Sequence, residues 1–128
     1  MNMYKDQDFQ ALESYLLRIP SVKGPISHDN LDDGNWTVQF SINVTHTLAW
    51  HTVQELGCVL NYLSVTERLP TVFFPVSPAP YLNGGPYDFL SWIIESKSPE
   101  FAPATCAEWL EGRLPRPVED VAQWPEEL

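Results

Sequence analysis

Apolar residues change their spacing several times along this chain, and each change marks an element. Phe9, Leu12, Leu16 and Ile19 recur at steps of three, four and three, so they share one helix face, and Pro20 lacks the amide donor a further turn needs. A first helix is expected over about residues 6 to 18. Residues 21–35 hold two glycines, one proline and the acids Asp29, Asp32 and Asp33, the composition of a solvated loop with at most a short strand near Val22 to Ile26. Trp36, Val38, Phe40, Ile42 and Val44 then alternate with Thr37, Gln39, Ser41, Asn43 and Thr45, the period of a strand with one buried face. Ala49, Val53, Leu56, Leu60 and Leu63 return to helical spacing, which predicts a second helix over about 47 to 63.

Thr71 to Val76 is a short β-branched and aromatic run marked by Pro70 and Pro75, suited to a sheet edge where a missing donor is tolerated. Pro75, Pro78, Pro80 and Pro86 surround the turn-forming Asn83-Gly84-Gly85, and Pro86 suits the first turn of a helix. Phe89, Leu90, Trp92, Ile93 and Ile94 form an almost wholly apolar run, which predicts a third helix buried on more than one side. A fourth helix is expected from about Pro103 to Glu111, stopped by Gly112. The tail from Leu114 carries Pro115, Pro117 and Pro125 and admits a turn or two of helix around Val118 to Trp124. No repeat or linker divides the 128 residues, so 1–128 reads as one globular domain, long enough for a core without disulfide or metal. Strands too few for a doubly wound sheet predict an α+β fold, a single layer of mostly antiparallel strands packed against three to four helices.

Charge narrows the function classes. Seventeen acids against seven Lys and Arg leave a net charge of -10, so phosphate contacts begin with repulsion and neither nucleic acid nor an anionic membrane is an expected partner. No run approaches the ~20 apolar residues of a membrane span. No leader pattern is visible near Met1, so the expected compartment is the cytoplasm, with Cys58 and Cys106 as reduced thiols. Residues 35–94 carry only Glu55, Glu67, Arg68 and Asp88, while 1–34 sum to -3 and 95–128 to -5. The middle is core, and acids dress the ends.

The candidate chemistries fare poorly. His51, Glu55, Cys58 and Tyr62 fall on the face of the second helix opposite its leucine stripe. The rise of a helix separates His51 from Cys58 by roughly 10 Å, too far for the imidazole to take the thiol proton, so Cys58 is expected to pack as a small hydrophobe. His46 and His51 stand five apart and no Cys-x-x-Cys occurs, so no metal site is expected. Asn83-Gly84-Gly85 matches no phosphate or dinucleotide loop, the serines lack a nucleophile elbow, and neither a cofactor nor a catalytic residue is expected. The adjacent acids Asp32 and Asp33, Glu119 and Asp120, and Glu126 and Glu127 read as solvated surface or as a protein-binding face. Trp36, Trp50 and Trp92 sit inside apolar elements and are expected in the core. Trp109 and Trp124 lie among Glu108, Glu111 and Glu126 and suit either the core or an interface anchor.

Trp36-Thr37-Val38-Gln39-Phe40, the segment Pro80 to Pro86 and the segment Ala107 to Pro115 look like motifs a family would keep. In size, acidity and format the chain resembles the immunity proteins of bacterial polymorphic toxin and contact-dependent growth inhibition systems. The resemblance implies a stoichiometric inhibitor, not an enzyme, that binds a cognate toxin domain such as a basic nuclease. Its acids would stand in for phosphates, with the interface drawn from Asp29, Asp32, Asp33, Glu108, Glu111, Glu119, Asp120, Glu126 and Glu127 and anchored by Trp109 or Trp124. The alternative is a small enzyme or ligand-binding domain with a groove lined by Tyr81, Asn83, Tyr87 and Asp88, beside His51 or Cys58.

Overall fold

The computed structural model describes residues 3–62, 70–76 and 89–124, without the side chains of 89 and 90. Helix α1 spans Asp6–Arg18, with Asp6 and Asp8 in its first turn and Arg18 in its last, each complementing the helix dipole. Asp8 turns its carboxylate back to accept the Lys5 amide at 2.7 Å, which satisfies a donor the first turn leaves open. Strands β1 (Val22–Asn30), β2 (Trp36–Asn43), β3 (Thr71–Val76) and β4 (Phe89–Ser96) form an antiparallel sheet in the order β1-β2-β4-β3. Helix α2 (Ala49–Gly57) runs on into a π-helical turn, Cys58–Tyr62, and α3 spans Pro103–Arg113, followed by a short 3-10 turn at Val121–Gln123. The α+β fold read from the sequence is the observed one.

Alternation puts Trp36, Val38, Phe40 and Ile42 on one face of β2, where each is 1% exposed or less. Trp92 and Ile94 of β4 pair with Phe40 and Val38, so the same face continues across the sheet to Phe73. Phe9, Leu12 and Leu16 of α1, Leu56 of α2 and Cys106 and Leu110 of α3 complete this core. Within it the Trp36 indole donates to the Phe101 carbonyl at 2.6 Å and the Ser21 and Thr52 hydroxyls meet at 2.7 Å, whereas the buried Trp92 indole N–H finds no partner among the described residues.

Three elements depart from the sequence reading. Residues 22–30, expected as loop with a short strand, form the nine-residue edge strand β1; only Val22 is buried, so no apolar alternation announces it. Its ladder with β2 supplies the order, with a bulge between Lys23 and Ser27. Residues 89–94, expected as a helix, belong to β4, hydrogen-bonded on both sides by β2 and β3. A short apolar run carries no period of its own, and the Trp and Ile content favours the pleated surface. Gly112, expected to stop the fourth helix, lies inside α3, and Leu114 followed by Pro115 ends it.

A Cβ built on Gly112 meets nothing within 4 Å. Gly112→Ala is therefore expected to raise unfolding stability by about 0.5–1 kcal/mol, by restricting the unfolded chain and favouring the helix. A chemical-denaturation curve with an unchanged or lower midpoint would contradict this.

Asn61 covers part of the outer edge of β3. The Asn61 carboxamide accepts the Phe73 amide at 2.8 Å and donates to the Phe73 carbonyl at 3.0 Å, imitating a neighbouring strand. Pro75 offers no donor, so this edge resists pairing with another chain.

Candidate protein-binding surface

Helices α1 and α3 run side by side in the same direction. Ala11 and Ser14 on α1 face Ala104 and Ala107 on α3, and their small side chains leave a shallow groove of about 250 Å³. Tyr15 reaches across its floor, donating to the Leu110 carbonyl at 3.3 Å. Burial, with Glu111 adding negative potential, pushes the Tyr15 phenol up to about 12, so it stays a neutral donor. Arg18, Glu108 and Glu111 form the rim.

Arg18 ties this rim to the tail. Its guanidinium lies 2.8 Å from Glu119 and 3.6 Å from Glu111, and all three side chains are about half exposed. The hydrogen bond that Arg18 donates to Glu119 holds Arg18 above its ordinary range and Glu119 below the usual carboxylate value. Pairs this open to water contribute little to stability, so a partner's cation can take over either carboxylate at small cost.

The acids expected at an interface fall into two groups. Glu108, Glu111 and Glu119 gather at the C-terminal end of the α1–α3 pair, with Asp120 beside them capping the Ala122 amide at 3.0 Å. Asp29, Asp32 and Asp33 lie around the β1–β2 turn at the other end, where Asn30 grips the Tyr4 backbone just before α1 begins. The thirteen residues of α1 put roughly 20 Å between the groups. Two of the turn acids are spent locally, Asp29 accepting the Asn30 amide and Asp33 the Asn35 amide. Glu126 and Glu127, like Tyr81, Asn83, Tyr87 and Asp88, lie outside the described residues.

The tryptophans divide differently from the expectation. Trp36 and Trp92 are buried, but Trp50 is 50% exposed, because it neighbours Ala49 and so points away from the stripe of α2. Trp124 is only 3% exposed, with its indole donating to the Val118 carbonyl at 2.9 Å, so it anchors the tail to the core and offers no surface to a partner. Trp109 is half-buried, with the Arg113 guanidinium 4.4 Å above its ring.

Cys58 does not pack as a small hydrophobe. It opens the π-helical turn and is exposed, whereas Cys106 is fully buried and its thiol is pushed up to about 12 by desolvation. A thiol reagent under native conditions is therefore expected to modify one cysteine, Cys58, and to reach Cys106 only on unfolding; rapid double labelling would contradict the buried placement. His46 accepts the Leu48 amide at 2.9 Å, a helix-start contact. The ring nitrogens of His51 are shielded from solvent and find no hydrogen-bond partner among the described residues. Among those residues no three His, Cys, Asp or Glu side chains gather to hold a metal, and no helix is long and apolar enough to cross a membrane.

Sequence reading missed Ala11, Ser14, Tyr15 and Arg18. Their signal was present as a stripe of small and polar residues beside the apolar face of α1, matched by Ala104, Ala107 and Glu111 on α3. Comparison with known proteins finds no family model, no curated protein and no solved structure that matches this chain, so the functional reading rests on these residues themselves.

Proposed function

We propose that this chain is an immunity protein of the cytoplasm that binds a cognate toxin domain one to one and blocks it, without turnover or cofactor. The observation that supports this most directly is the groove between α1 and α3, whose floor is small enough to admit a partner's side chains and whose rim gathers Glu108, Glu111 and Glu119. The net charge of -10 adds a field that draws in a basic partner from a distance. Arg18 holds two of the carboxylates in place before binding, which lowers the ordering cost of forming charge-assisted hydrogen bonds to incoming Lys or Arg side chains.

The test is coexpression with the toxin domain encoded beside it, scored by growth rescue and by the mass of the purified complex. Rescue with a one-to-one complex supports the reading. Continued toxicity at full expression of both chains, with no complex, overturns it.

The small-enzyme or ligand-binding alternative draws on one observation, the sheltered ring of His51, which has no hydrogen-bond partner among the described residues. A small molecule that shifts the His51 ring resonances at stoichiometric concentration would favour that alternative; resonances that respond only to the toxin domain favour inhibition.

A further inference from the structure

Besides the Asn30 contact with the Tyr4 backbone ahead of α1, an imidazole ties edge strand β1 to the helix itself. His28 Nδ1 lies 2.9 Å from a Glu13 carboxylate oxygen, and Nε2 lies 2.9 Å from an Asp6 carboxylate oxygen. The ring stacks on Phe9, with centroids 4.0 Å apart and planes 9° from parallel. Ionised carboxylates only accept hydrogen bonds, so both contacts require an N–H on each nitrogen, a condition that neutral imidazole cannot meet.

We propose that Asp6, His28 and Glu13 form a proton-operated latch, in which charged His28 pins β1 to α1 and loss of one ring proton releases the first turn of the helix at Asp6. The two carboxylates are not equivalent. Glu13 is 18% exposed at its side chain and Asp6 98%, so the sheltered Glu13 contact is the stronger electrostatically and keeps its proton on Nδ1. Deprotonated Nε2 then presents a lone pair to the Asp6 carboxylate, and attraction there becomes repulsion. No other charged group faces the ring among the described residues: β2 sets Val38 opposite His28, and neighbouring Asp29 turns its carboxylate to the Asn30 amide.

The Glu13 hydrogen bond, ahead of the smaller contribution from Asp6, holds His28 above its ordinary value of 6.5 against the opposing effect of burial. A raised value in the folded state means that the latch stabilises fully below 6.5 and loses that contribution as pH rises through the folded value. The closed state thus lies on the low-pH side of the His28 midpoint.

The test is a titration from about pH 5 to about pH 8 on protein labelled with nitrogen-15 in histidine, following ring tautomers together with amide protection factors in α1. The expected midpoint for His28 lies above 6.5, with both ring nitrogens protonated below it and the Nδ1–H tautomer above it. Protection in the first turn of α1 should fall across the same midpoint, while the last turn, tied by Arg18, does not follow. Glu13→Gln should bring the midpoint back toward 6.5. Asp6→Asn, at a fully exposed position where folding is not at stake, should lower the midpoint less and remove the pH dependence of first-turn protection. A His28 midpoint at or below 6.5, an Nε2–H tautomer above it, or first-turn protection indifferent to the titration would each overturn the latch.

Discussion

Trp36→Ala is expected to lower unfolding stability by about 3–5 kcal/mol, a large share of the ~5–15 kcal/mol that holds a domain of this size together. Trp36 begins β2 at the corner where three elements meet. It is fully buried, edge-on to Phe9 of α1 with centroids 6.0 Å apart, and stacked near Phe101 ahead of α3. Its backbone amide donates to the Ser96 hydroxyl at the end of β4. Truncation removes the largest of the fully buried side chains and leaves the Phe101 carbonyl without its indole donor. Trp36→Phe helps to separate the two effects, since it keeps much of the volume while removing the hydrogen bond, for about 1–3 kcal/mol. Urea denaturation of both variants measures them. Equal losses would mean that the hydrogen bond outweighs packing, contrary to what the burial implies.

Reversing two rim charges, Glu108→Lys with Glu111→Lys, is expected to slow association with the toxin domain proposed as partner by about tenfold or more at low salt, with most of the difference vanishing near 1 M salt, where the screening length falls to ~3 Å. Glu108 has no part in the Arg18 network, and the Arg18–Glu111 contact is long at 3.6 Å, so folding should be little affected. Asp32→Lys with Asp33→Lys adds the same charge at the opposite end of α1 and serves as the control. Stopped-flow association rates at several salt concentrations distinguish the two patches. If the turn reversal slows binding and the rim reversal does not, the binding surface lies at the β1–β2 turn; equal slowing by both would point to net charge alone.

The legibility of the chain follows burial. α1 and β2 carry their own periods because each lays one regular face on the core, and their sequence-expected starts at residues 6 and 36 are those observed. β3 was legible from Pro70 and Pro75 for a related reason, since proline restricts the positions a strand can occupy. β1 and β4 fail at opposite extremes. One is so exposed that no apolar period survives, and the other is so apolar that the run could be wound as helix or drawn out as strand.

The candidate surface divides in the same way. Composition alone determined that the exterior is strongly acidic, and local charge runs nominated the acids, because ionised side chains stay in water whatever the fold. Tertiary structure decided which of them meet. Arg18, Glu111 and Glu119 are drawn together from α1, α3 and the tail, as Asp6, His28 and Glu13 are drawn from α1 and β1, and these separations along the chain leave no periodic trace. The burial of Trp124 and the exposure of Trp50 were decided there too, since a side chain's surroundings depend on which elements dock beside it, and docking is settled by the whole core at once.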